Sequence, residues 1–169
     1  MNSKIATLIG FILLAALSRF LPHFPNFTPM MALALFSGAF FTDKKQAFLI
    51  PLAAMFLSDF FLGFHNLMPL TYLCFAVTVG MGMWLQQHRS AGSIAFTALA
   101  SSVLFFTVTN FGVWAFSGMY SKSAAGLATC YIAALPFFQN SLMGDALYTV
   151  TLFGGFALLE RMVPKLRTV

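Results

Sequence analysis

The sequence predicts an all-α protein: a polytopic membrane helical bundle of about six transmembrane helices plus a short interfacial or re-entrant helix. Three observations carry the prediction. Of the 169 residues, 60% are hydrophobic and only 8% are charged, against roughly a quarter charged in soluble domains. The apolar residues fall into runs suited to helical spans, which need about 20 residues each. The cations stand singly or in pairs at the ends of those runs. That distribution orients membrane proteins, whereas nucleic acid requires a clustered basic patch. A soluble fold is excluded, because so small a chain cannot bury this much apolar surface. Residues 1–169 are therefore expected to form a single integral membrane domain, with the lipid bilayer as partner and no nucleic acid.

The elements follow from cutting the chain at charges and prolines. MNSK followed by IATLIGFILLAALS has the layout of a signal peptide, with small residues around Ala16-Leu17-Ser18. We read it as a retained first span over about Lys4–Leu21. Next comes RFLPHFPNFTP, Arg19–Pro29. Its three prolines exclude a continuous helix, yet four of its eleven residues are Phe or Leu. A stiff, aromatic connection of this kind is either a packed interfacial loop or a lid over a buried site. Span 2 is expected over about Thr28–Thr42 and span 3 over Ala47–Phe64, entering through Pro51. Span 4 is expected over about Leu67–Leu85 and span 5 over Ser93–Phe116. In Ser123–Met162, Pro136 is expected to divide a short helix, Ala124–Leu135, from span 6, Gln139–Leu159. Small residues four apart, Ala6/Gly10 and Ala34/Gly38, allow helices to approach closely in lipid.

Charge orients this arrangement. An even number of spans puts both termini on one side, together with Lys4, Lys44, Lys45, Arg89, Arg161, Lys165 and Arg167. Only Arg19 and Lys122 fall on the other side, and the seven-to-two asymmetry marks the first side as cytoplasmic. The Pro-rich stretch then faces outward.

Polar residues collect at that outer end. An ionisable group inside a span costs about 2.5–3.5 kcal/mol on insertion scales and faces a bundle interior or a cavity. Asp59 and Asp145 are the two acids within spans, both placed in the outer parts of theirs. Arg19, His23, Asn26, His65, Asn66, Tyr72, Cys74, Asn110, Trp114, Tyr120, Tyr131, Gln139 and Asn140 fall at the same end. Helical spacing puts Asn110 with Trp114, Ser141 with Asp145 and Tyr148, and Thr71 with Cys74 and Thr78 on shared faces. Aromatics beside amides and acids have the composition of a small-molecule pocket. The bland alternative is a polar network that fixes helix packing, such as an Arg19–Asp59 pair.

Other chemistries fall away. No HExxH, GxSxG, Walker or dinucleotide-binding glycine pattern occurs. Ala115–Gly118, AFSG, resembles the serine segment of intramembrane serine proteases, which need a later histidine, and the last histidine here is His88. His23, His65 and Cys74 are the one conceivable metal-ligand set, at a spacing that specifies no known site.

Three segments, RFLPHFPNFTPMMALALFSGAFF, LSDFFLGFH and TNFGVWAFSGMY, resemble those of a family of small bacterial membrane proteins described only as transport proteins. The resemblance covers nearly the whole chain. That family is similar in turn to the S components of energy-coupling-factor vitamin transporters, with the solitary cobalamin transporters the nearest functional group. The resemblance implies a six-helix bundle that binds a vitamin or a metal near its outer face, beneath the loop joining helices 1 and 2. It implies a cysteine ligating the cobalt of a corrinoid, matched here by Cys74, and an ATPase coupling module docked on an AxxxA-like surface of helix 1. Only Ala6/Gly10 approximates that surface.

The expected function is therefore uptake of a vitamin-like small molecule across the bacterial inner membrane, with cobalamin the first candidate and no cofactor required. Arg19, His23 and Asn26 would close the pocket. Asp59, Asn110, Asn140 and Asp145 would hydrogen-bond the substrate, beside His65 and Tyr72, while Trp114, Tyr120 and Tyr131 enclose it. The rival is a membrane enzyme or an assembly protein using the same polar end.

Overall fold

MMALALFSGAF is apolar on every side, and a helix with no polar face belongs in a core. In the computed structural model, which describes residues 3–166, this segment is α2 (Met30–Phe40), and every residue after Met30 is buried. Around it stand α1 (Ser3–Leu17), α3 (Lys44–Leu62), α4 (Met68–Trp84), α5 (Ala91–Phe116) and α6 (Ala124–Thr149). α6 runs through a π-helical turn (Val150–Gly154) into α7 (Gly155–Met162). Single 3-10 turns follow α1 (Ser18–Phe20) and α7 (Pro164–Leu166), and no strand occurs among the described residues. α2 touches α1, α3, α4, α5 and α6. The protein is thus a bundle wrapped around one short rod.

Four helical stretches are long and apolar enough to cross a membrane: Ser3–Phe20, Lys44–Leu62, Ala91–Phe116 and Ala124–Met162. α2 and α4 are shorter. The eleven residues of α2 reach about 17 Å at 1.5 Å per residue, well short of a hydrocarbon core of about 30 Å.

Local chemistry sets the ends. Asp43, Ser90 and Ser123 cap α3, α5 and α6 by accepting from the N–H groups of Lys45, Ser93 and Gly126. The Asp43 cap starts α3 three residues before the expected Ala47, so Pro51 lies inside the helix rather than in its first turn. Pro136 does not divide the last stretch: Ala124–Met162 is one rod of 39 residues, with no separate helix over Ala124–Leu135. FFQNS follows that proline without a glycine or a second proline. Such a site bends a helix in apolar surroundings more readily than it ends one. Asp145 consequently lies midway along the rod and not near its outer end.

Close packing concentrates at α2 and α4. A Cβ built on Gly38 would lie 2.9 Å from Cα of Gly82 and also meet the carbonyl of Val79. Ala34 and Gly38 are both fully buried, as their four-residue spacing predicts. Gly10 behaves differently, since a Cβ there meets nothing within 4 Å.

Both ends of α2 lie inside the bundle, where its unpaired backbone groups need partners. Gln86 Nε2 donates to the carbonyls of Gly38 (2.8 Å) and Phe41 (2.9 Å) at the C-terminal end. At the N-terminal end the Asp145 carboxylate faces the N–H groups of Met31 and Ala32 and accepts from Ser102 Oγ at 2.7 Å. One short rod is therefore held at both ends by side chains from other elements.

Candidate functional site

The alternating helices gather the Pro-rich stretch, the α3–α4 connection and the α5–α6 connection at one end of the bundle. The Pro-rich stretch is ordered by its own sequence. Phe27 N–H donates to the carbonyl of Phe24 at 3.0 Å, with Pro25 and Asn26 between them and Asn26 at φ +63°. Proline followed by a left-handed asparagine is type II turn chemistry. α6 then anchors the loop: Asn140 Nδ2 donates to the carbonyl of Pro25 at 3.0 Å, and Phe27 packs on Tyr148. At Gly144 a Cβ would stand 3.1 Å from the backbone nitrogen of Thr28.

Beside the loop, with Asn26 in its wall, is a cavity of about 270 Å³. Arg19, Asn26, Asp59, His65, Thr71, Thr109, Asn110 and Ser141 supply its polar wall. Phe105, Phe106, Phe137, Phe138 and Met30 supply most of its apolar wall. An annexe of about 60 Å³ shares Asn26, Met30, Phe105 and Ser141 and reaches Asp145.

The Arg19–Asp59 pair is the strongest electrostatic feature. Arg19 Nη2 lies 2.7 Å from Asp59 Oδ1, with side chains 10% and 7% exposed. Tyr72 donates its hydroxyl to Asp59 Oδ2 at 2.7 Å. Arg19 Nη1 donates to Ser58 Oγ and approaches the sulfur of Met55 at 3.7 Å. Arg19 Nε is buried with no partner among the described residues. The carboxylate and guanidinium balance one another, so the wall carries polarity without net charge, and one donor is left over.

Of the expected site residues, Arg19, Asn26, Asp59, His65 and Asn110 line the main cavity, and Asp145 lines the annexe. Tyr72 acts from behind through Asp59, and Asn140 acts through the loop. His23 is exposed, its Nδ1 2.9 Å from the carbonyl of Phe24. Trp114 Nε1 donates to the carbonyl of Ser121 at 3.0 Å and Lys122 stacks over its ring, which closes the α5–α6 connection. Tyr131 donates to the carbonyl of Thr107 at 2.6 Å and packs on Phe106. Tyr120 is half-buried and outside the cavity wall. Cys74 is buried on α4 and is not among the lining residues. The described residues contain no group of three His, Cys, Asp or Glu side chains able to hold a metal ion.

Sequence reasoning passed over several participants. Ser58 adjoins Asp59, and Ser102 faces Asp145 from another helix. The four phenylalanines form two adjacent pairs, Phe105-Phe106 and Phe137-Phe138. Nothing in the sequence separates them from the chain's other phenylalanines, 22 in all.

No curated protein and no solved structure matches the chain. A family model matches residues 1–166, and the chain therefore belongs to the family of unknown function DUF6580.

Proposed function

We propose that the protein binds a small vitamin-like solute in the loop-end cavity and carries it inward across the bacterial inner membrane. One observation carries this reading: a cavity of about 270 Å³ with aromatic walls and a charge-balanced polar wall, to which an anchored loop contributes Asn26. Ligand pockets run from about 300 to 1,000 Å³ and combine apolar walls with a few placed polar groups. At about 270 Å³ this cavity stands just below that range. It suits a compact ring with hydrogen-bonding groups and little net charge. The spare donor at Arg19 Nε is one that a bound acceptor oxygen would satisfy.

The same reading takes the six rods as six crossings, with α2 and α4 completed by their flanking residues, in an S-component-like bundle. Lys4, Lys44, Lys45, Arg89, Arg161 and Lys165 belong to the end opposite the Pro-rich loop, while Arg167 lies outside the described residues. That distribution supports cytoplasmic termini. Cobalamin is far larger than the cavity, so binding it requires the loop to lift, and cobalt ligation by Cys74 requires the cavity to widen. An ATPase module docked at Ala6/Gly10 would find an open surface at Gly10.

A specific observation favours a second reading, in which the polar end only locks helices together. Arg19, Asp59 and Asp145 already have protein partners. Thermal-shift measurements on the purified protein against water-soluble vitamins, cobalamin included, separate the two. A solute site predicts a concentration-dependent rise in the wild-type melting midpoint with at least one compound, lost in Asn110→Leu. A cobalamin shift lost in Cys74→Ser would assign the cobalt ligand. No shift with any compound would leave the structural reading standing.

A further inference from the structure

A second cavity lies at the other end of the bundle, in the wall between α5 and the α6–α7 rod. It is a groove of about 720 Å³. The Ser102–Asp145 hydrogen bond sets the antiparallel register of its two walls. Ala91, Ala95 and Ala98 therefore run opposite Ala157, Gly154 and Ala146. With side chains no larger than methyl on these positions, neither helix fills the space between them. The π-helical turn Val150–Gly154 belongs to the same wall, and π turns within α-helices occur frequently at functional sites.

Its length and its charge identify an occupant. From Ala91 to Ser102 the groove extends about 17 Å at 1.5 Å per residue, close to one leaflet of a hydrocarbon core about 30 Å thick. Its mouth carries Arg89 and Arg161, both exposed. The Arg89 guanidinium carbon lies over the Phe40 ring, 4.6 Å from its centroid, and a guanidinium binds oxyanions through its N–H fork. Arg19, not Arg89 or Arg161, is the arginine that pairs with Asp59. We propose that this groove binds one anionic phospholipid, its acyl chain along α5 and its phosphate between Arg89 and Arg161. Basic pockets between spans on the cytoplasmic side capture anionic headgroups in this way. A partner helix would use the full membrane thickness and would gain nothing from two guanidinium groups at one end.

The proposal is independent of the solute reading, because no residue of the groove mouth belongs to the loop-end cavity. The test reconstitutes the full chain in nanodiscs of equal parts phosphatidylcholine and phosphatidylglycerol, then releases it for native mass spectrometry. Wild-type protein should retain one phosphatidylglycerol. The double substitution Arg89→Gln/Arg161→Gln should lower that retention on the order of tenfold, and Arg89→Lys/Arg161→Lys should keep most of it. Ala95→Phe, which fills the groove from an exposed position, should abolish retention with both arginines intact. Equal retention of phosphatidylcholine, or unchanged retention in the Gln double variant, would overturn the proposal. So would a lipid-free wild-type dimer that Ala95→Phe converts to monomer, which would give the groove to a second copy of the chain.

Discussion

Arg19 and Asp59 belong at once to the packing of the bundle and to the wall of the loop-end cavity. An ion pair so deeply buried is held by its partners, since removing one charge strands the other in a medium that cannot solvate it. Arg19→Gln or Asp59→Asn alone should therefore cost about 3–5 kcal/mol. The double variant should lose much less than the sum, which a double-mutant cycle on unfolding in detergent would measure. Additive losses would mean that the two charges do not depend on each other. The pair itself was foreseeable, because two opposite charges fell within greasy segments at the same end. Asp145 lies deeper than expected for a physical reason: its depth depends on where α6 begins, and α6 continues through Pro136 without ending. Trp114 and Tyr131 spend their polar atoms on backbone carbonyls of neighbouring segments, a preference that residue type and helical face do not reveal.

At the scale of elements, α2 organises the rest. Its apolar sequence was legible as a helix, but its extent was not, because phenylalanine and threonine at a helix end look like continued span. What stops it is tertiary: Gln86 takes its last carbonyls and the Asp145 carboxylate faces its first N–H groups. Neither partner lies within 40 residues of it in sequence, and such pairings are invisible to a local pattern. The small-residue spacing shows the same limit. Ala34/Gly38 marks a true backbone contact and Ala6/Gly10 does not, though the two patterns look alike. Gly38→Leu should accordingly prevent accumulation of folded protein, because its side chain would displace the backbone at Val79 and Gly82. Gly10→Leu should leave yield and melting midpoint unchanged by size-exclusion and thermal unfolding. Equal effects at the two positions would remove α2–α4 contact as the anchor of the bundle.

On the scale of the whole molecule, polarity is distributed by end. A charge-balanced cavity with Asn26 of the Pro-rich loop in its wall lies at one end, and six described cations belong to the other, where the α5–α6 groove opens. Composition and charge made the membrane class and this two-ended organisation readable from the sequence. The cavity walls were readable only in part, since phenylalanines become walls through helix rotation and register. The claim that joins these features is that the loop-end cavity holds a solute. Thr109→Trp tests it most directly: Thr109 lines the cavity and its hydroxyl bonds only the Phe105 carbonyl of its own helix, so an indole there fills space without breaking a contact between helices. Native mass spectrometry of protein extracted from its own membranes should find, besides any phospholipid, a small-molecule adduct on the wild type that Thr109→Trp lacks, with both chains folded. A wild-type mass with no adduct other than phospholipid, or a non-lipid adduct carried equally by both proteins, would contradict the account.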